Sequence, residues 1–98
     1  MIRIYHAPQA RSFRVIWMCH EAGLPHEVAL VNFFDKSMRS PEFLAISPAG
    51  RVPAVEIDGQ VMFESGAILE YLAETRAPQF NRPAGHPDRI CYLEWLHF

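Results

Sequence analysis

Apolar and polar residues change their period several times along this chain, and each change marks an element. Ile2 to His6 alternates around Arg3 and predicts a short strand. Ala7-Pro8-Gln9-Ala10 interrupts it as a loop. From Arg11 to Ala22, the apolar residues Val15, Cys19 and Ala22 recur at spacings of four and three, which predicts a helix with one buried face. Gly23 stops that helix and Pro25 prevents its continuation. Glu27 to Phe33 alternates again, with Val28, Leu30 and Asn32 on one face, and reads as a second strand. Phe34 to Arg39 is a connector. Ser40-Pro41-Glu42 then combines a capping hydroxyl, a first-turn proline and a first-turn acid, which predicts a short helix ended by Ser47-Pro48-Ala49-Gly50. Ala54 to Asp58 and Gln60 to Glu64 are two strands around an Asp58-Gly59 turn, the clearest hairpin signal in the chain. Ser65, Ile68, Leu69 and Leu72 follow helical spacing to about Arg76.

The order is βαβ, α, ββα. The two strands joined by a helix are expected to be parallel, and the hairpin adds an antiparallel pair. A four-stranded mixed sheet with helices on both faces accounts for this α/β pattern over residues 1–77. The next stretch, 78–86, holds Pro78, Pro83 and Gly85 and has the composition of a linker. A further helix is predicted over 87–98, with Ile90, Leu93 and His97 along one side. It ends uncapped in Trp95-Leu96-His97-Phe98, which reads as the first helix of a truncated, all-helical second domain.

Composition narrows the function. The chain has 98 residues, enough for one small core, and a formal net charge of −2. Lys36 is its only lysine, there is no basic run, and nucleic acid is not an expected partner. No apolar run is long enough to span a bilayer, and Met1-Ile2-Arg3-Ile4-Tyr5 lacks the apolar core of a signal peptide. Cys19 and Cys91 lie far apart, each in an apolar helical pattern, and read as two buried thiols in a reducing, cytoplasmic setting. The five histidines show no ligand spacing, so no metal is expected.

Two short motifs carry the chemistry. Val52-Pro53 opens a hydrophobic strand with a residue that cannot donate a ladder hydrogen bond, leaving nearby backbone groups free. Glu64-Ser65-Gly66 places an acid and a hydroxyl at a helix start, where unpaired N–H groups face an anion. Together they suggest a site that holds a peptide-like ligand by its backbone and by a carboxylate.

The run from Pro48 to Val55, followed by Phe63 to Leu72, resembles the thioredoxin-like N-terminal domain of cytosolic glutathione S-transferases. Arg14-Val15-Ile16-Trp17 and Glu21 to Glu27 are similar to that family's first helix and second strand, and Arg89 to Phe98 to the opening of its helical second domain. The resemblance implies a cis proline at Pro53, with the Val52 backbone pairing to the cysteinyl backbone of glutathione. It implies that Glu64 meets the γ-glutamyl ammonium, while Ser65 and the helix amides bind the α-carboxylate. Arg51 falls where the family often has a basic residue, and Arg39 is a candidate for the glycyl carboxylate.

The resemblance further implies glutathione as co-substrate, no permanently bound cofactor, a small electrophilic second substrate, a role in detoxification, and a homodimer in the full-length form. Such enzymes turn the bound thiol into a thiolate nucleophile. Related Arg-Ser-x-Arg-Val patterns often have serine at the position of Ala10, which here has no donor. Ser12 is therefore the first candidate for catalysis, its other role being a helix cap; Gln9, Tyr5, His6 and the amides near Arg11 and Ser12 remain alternatives. A non-catalytic glutathione-binding or protein-interaction module, or a glutathione-dependent thiol reductase, stays open as the alternative function.

Overall fold

A computed structural model describes residues 1–31, 39–48 and 50–98 of the chain. It contains β1 (Ile2–His6), α1 (Ser12–Ala22), β2 (His26–Leu30), α2 (Pro41–Leu44), β3 (Ala54–Ile57), β4 (Gln60–Phe63), α3 (Ser65–Thr75) and α4 (Arg89–His97), with a 3-10 turn at Pro78–Phe80. The strand order is β2-β1-β3-β4. β1 and β2 run parallel, with Ile4 opposite Val28. The β1–β3 and β3–β4 pairs are antiparallel. This is the four-stranded mixed sheet of a thioredoxin-like fold, in the arrangement the sequence predicts.

Local chemistry explains most element ends. Gly23 takes φ 66°, the left-handed conformation favoured after a helix, and the Leu24 amide reaches the Cys19 carbonyl at 2.8 Å to close the last turn of α1. The Ser40 hydroxyl accepts the Phe43 amide at 3.2 Å, capping α2 with Pro41 in its first turn. Asp58 and Gly59 both have positive φ, 50° and 86°, as a two-residue hairpin turn that matches strand twist requires. β2 ends at Leu30, although the Val31 amide still reaches the His6 carbonyl at 2.8 Å. The predicted end of that strand at Asn32 and Phe33, with the connector to Met38, lies outside the described residues.

Two apolar layers form because β1 and β3 alternate their side chains across the sheet. On one face Ile2, Ile4, Val55 and Ile57 meet Val15 and Cys19 of α1 and Ile68 and Leu72 of α3. On the other, Phe43 and Ala54 gather Tyr5, Val31, Ile46 and Val52, and the Tyr5 and Phe43 rings meet edge to face at 5.9 Å. Each fully buried Ile or Leu contributes about 1.5–3 kcal/mol. The main core therefore anchors β3, which follows Pro53, and α3, which follows Glu64.

α4 leans on α3. The Arg89 guanidinium lies 3.4 Å from the Glu70 carboxylate, and the His97 ring lies against Gly66. Ile90, Trp95 and Phe98 face outward. Cys91, expected to be buried, is exposed, whereas Cys19 is buried. The reason lies in α4 itself: apolar residues occur all round this helix, so the pattern does not select one inner face. Burial pushes the Cys19 thiol above its ordinary pKa.

Candidate functional site

Three connections converge beside the ends of β1 and β3. The first leads from α2 to β3. Ser47 is fully buried; its hydroxyl donates to the Arg51 carbonyl at 2.9 Å and accepts the Arg51 amide at 3.3 Å. That pair of bonds closes a tight loop and fixes where Arg51, Val52 and Pro53 emerge. The Val52–Pro53 peptide bond is cis, Pro53 is buried and Val52 is half-buried. The backbone N–H and C=O of Val52 have no partner among the described residues. An extended ligand backbone is the natural complement to such an edge.

The second connection is the β4/α3 junction. Glu64 precedes α3 with φ 77° and ψ 112°, a conformation that costs a non-glycine residue on the order of 1–3 kcal/mol. Its side chain makes no capping bond and it pairs with no cation among the described residues. The first bond of α3 runs from the Ile68 amide to the Glu64 carbonyl at 2.9 Å, so the amides of Ser65, Gly66 and Ala67 stay open. Backbone strain, a free carboxylate and a helix mouth thus coincide, and the Ser65 side chain is half-buried beside them.

The third connection, from β1 to α1, differs. Ser12 is fully buried, with its Oγ 2.7 Å from His6 Nδ1. It also accepts the Ala7 amide at 3.3 Å. Ser12 is the first residue of α1 rather than its cap; Arg11 holds the cap position without a side-chain bond. The hydroxyl is therefore tied inward and fastens the start of α1 to the end of β1. The Arg11 and Ser12 amides have no partner among the described residues. Gln9 is exposed, with φ 62°.

Arg51, Val52, Pro53, Glu64 and Ser65 line one cleft of about 60 Å³, together with Arg11, Ser47 and Phe63. Ser12, Gln9 and Arg39 do not line it. From sequence alone Arg11 stands out only for its amide and Ser47 only as part of a helix stop. The serine four residues before Arg51 is the one available signal of its locking role. Two arginines and one acid around unpaired amides suit a zwitterionic ligand carrying more than one carboxylate. A larger groove of about 530 Å³ lies elsewhere, lined mainly by apolar side chains such as Trp17, Leu69, Trp95 and Phe98, with Arg14 and Glu21 among its lining residues and none of the charged groups of the smaller cleft. The smaller cleft is the one in which backbone groups and charges are left open among the described residues. Among the described residues, no three His, Cys, Asp or Glu side chains gather in a metal-holding group. No described helix is long and apolar enough to cross a membrane.

Comparison with known proteins agrees with this geometry. The family model for the glutathione S-transferase N-terminal domain matches residues 10–75. Glutathione S-transferase 3 of Schizosaccharomyces pombe is 34% identical over 102 residues, covering 100% of this chain and 40% of that protein. A disulfide-bond oxidoreductase of Escherichia coli is 34% identical over 98% of this chain and 47% of its own length. Among solved structures, a glutathione transferase homologue from Lodderomyces elongisporus with two glutathione molecules per subunit superposes with a TM-score of 0.87 at 30% identity, over 99% of this chain and 49% of that one. A glutathione transferase from Methylococcus capsulatus gives 0.85 at 36% identity, over 100% of this chain and 50% of that one. The chain thus spans about half the length of the relatives it matches. On its sequence and its fold alike, it belongs to the glutathione S-transferase family and corresponds to the N-terminal domain.

Proposed function

We propose that this chain binds glutathione in the cleft between Val52 and Ser65 and, in a full-length transferase, prepares its thiol for attack on a small electrophile. The observation that carries the reading is the meeting of the unpaired Val52 backbone with Glu64, Ser65 and the open mouth of α3 in one cleft. In this reading Val52 pairs with the cysteinyl backbone as an added strand. Glu64 takes the γ-glutamyl ammonium, while the Ser65 hydroxyl and the α3 amides take the α-carboxylate. Arg51 supplies positive charge to the rest of the tripeptide. Arg39, exposed and outside the cleft, is retained only as a candidate for the glycyl carboxylate.

For thiol ionisation we favour the Arg11 and Ser12 amides over the Ser12 hydroxyl, which is already engaged. Open N–H groups at the positive end of α1 favour the thiolate, whose proton passes to solvent. The thiolate then forms the new S–C bond, and the electron pair moves into the acceptor or leaves with the displaced group. The Ser12 hydroxyl fastens the start of α1 to the end of β1 and takes no part in the ionisation.

The same reading assigns residues 1–77 to the glutathione-binding domain, 78–86 to a linker and 87–98 to the first helix of a helical domain. It places a homodimer, a detoxifying role and a cytoplasmic setting with the whole protein; two unpaired cysteines suit a reducing compartment. Thiol-dependent disulfide reduction is the second reading, favoured by the Escherichia coli relative's name and by the missing donor at Ala10. Retention on immobilised glutathione, combined with conjugation and disulfide-reduction assays, separates the cases. Binding with conjugation supports the first reading, and binding with reduction alone supports the second. Binding without either activity leaves the non-catalytic module, and failure to bind contradicts all three.

A further inference from the structure

We propose that Ser47 is a positioning residue for the ligand backbone: its hydroxyl holds both backbone groups of Arg51 and so leaves Val52 to pair with glutathione, which sets the register of the tripeptide. This rests on the glutathione reading and deepens it, because it names what decides where the cysteinyl thiol lands.

A single oxygen, Ser47 Oγ, lies 2.9 Å from the Arg51 carbonyl oxygen and 3.3 Å from the Arg51 amide nitrogen. One atom can meet both groups only if they point the same way, as they do in an extended chain. Along such a chain, successive residues turn their N–H and C=O groups to alternate sides. With the Arg51 pair turned inward to Ser47, the Val52 pair turns outward. Pro53 reinforces this, since the residue before a proline favours extended backbone. The Val52 N–H and C=O have no partner among the described residues, and Ser47, Arg51, Val52 and Pro53 line the same cleft.

The hydroxyl is itself held in place. Ser47 is fully buried. Its amide donates to the Phe43 carbonyl at 2.8 Å, and its carbonyl accepts the Gly50 amide at 2.8 Å. Phe43 packs with Ala54, the residue after Pro53, which the sheet fixes opposite Tyr5 and Phe63. Val52 and Pro53 thus span a fixed gap between a locked residue and a strand. An edge ordered in advance spares a ligand the cost of ordering it. Without the Ser47 hydroxyl, Arg51 offers a second N–H and C=O pair, and a ligand paired there sits one residue along, about 3.3 Å away. A one-residue slip turns side chains to the opposite face, which takes the cysteinyl sulfur away from the Arg11 and Ser12 amides.

The test measures binding to the full chain by calorimetry for the wild type, Ser47→Ala and Ser47→Cys. The probes are glutathione and γ-glutamyl-N-methylcysteinylglycine, which lacks the N–H that meets the Val52 carbonyl. The wild type is expected to bind the methylated probe about tenfold more weakly, the loss of one backbone hydrogen bond. Ser47→Ala is expected to weaken glutathione binding about tenfold and the methylated probe hardly at all, so that the difference between the probes disappears. Ser47→Cys, close to serine in size and a weaker hydrogen-bonding group, shows the same pattern at smaller size without opening a cavity. Hydrogen exchange on the wild type reads the register without any substitution: glutathione slows exchange of the Val52 amide and leaves the Arg51 amide, already held, unchanged. Unchanged glutathione affinity in Ser47→Ala overturns the proposal. So does an equal loss for both probes, which marks a merely structural support, or new protection at Arg51 in place of Val52. If the wild type binds neither probe, the glutathione reading itself falls and takes this inference with it. If the wild type binds glutathione and only the Ser47 pattern fails, that reading stands alone.

Discussion

The two walls of the cleft are built in opposite ways. On the α3 side, Glu64 is held at a strained φ of 77° with its carboxylate unpaired, and the helix amides behind it are open. On the α1 side, Ser12 is fully buried and hydrogen-bonded to His6 and Ala7, and only backbone amides are left open. One wall stores unmet interactions in side chains. The other uses a side chain to fix a loop and leaves the backbone to face outward. The difference teaches that a hydroxyl at a helix start is not by its position an available group. What else the hydroxyl already bonds decides whether it can act.

Removing the hydroxyls of Ser12, behind the α1 side, and of Ser65, in the cleft, gives the largest expected effects. Ser12→Ala leaves the Ala7 amide and the His6 ring without their buried partner and is expected to destabilise the fold by about 1–3 kcal/mol. Its glutathione affinity and thiol pKa stay unchanged. Ser65→Ala does the reverse, weakening glutathione binding by roughly tenfold with little loss of stability. Chemical denaturation and thiolate absorbance read the two outcomes; a lowered thiolate fraction in folded Ser12→Ala would return the hydroxyl to the mechanism.

A smaller effect tests the strain. Glu64→Gly removes the cost of positive φ and is expected to raise stability by about 1 kcal/mol while weakening glutathione binding. A stability loss would mean that the conformation of Glu64 is not strained.

The smallest effect lies at the far end of the hairpin, away from both walls. The Asp58 carboxylate accepts a hydrogen bond from the N-terminal ammonium at 3.0 Å and pairs with Arg76. The first of these contacts, with help from Arg76, lowers its pKa below the ordinary value. A carboxylate with a lowered folded-state pKa adds stability above the unfolded value, about 3.9, and loses it as the pH falls through the folded value. Asp58 is exposed, so solvent screens most of this contribution. Asp58→Asn should therefore lower stability slightly at neutral pH and leave it unchanged once Asp58 is protonated, so that the fall in stability below about pH 4 becomes shallower, as thermal melts across that range can show.

The sequence made legible what local chemistry decides. Gly23, Ser40-Pro41 and Asp58-Gly59 each define an element end within a few residues, and the structure places those ends there. Val52, Pro53, Glu64 and Ser65 were nameable because two short motifs carry them at a fixed separation. The rest depends on tertiary packing. The burial of Ser12 follows from how α1 seats on the end of β1, and nothing in Gln9-Ala10-Arg11-Ser12 encodes that seating by itself. Ser47 reads as a helix stop, yet its hydroxyl locks Arg51 across the loop. Cys91 sits in a helix that is apolar on every side, so periodicity gave no face to choose, and the thiol is exposed.

The central claim is that a glutathione tripeptide lies between the Val52 backbone and the α3 mouth. Backbone amide NMR during titration with glutathione tests it directly. The account predicts saturable shifts at Val52, Ser65 and Gly66 with a common dissociation constant. Shifts confined to the apolar groove around Trp17 and Trp95, with Val52 and Ser65 unmoved, would contradict it.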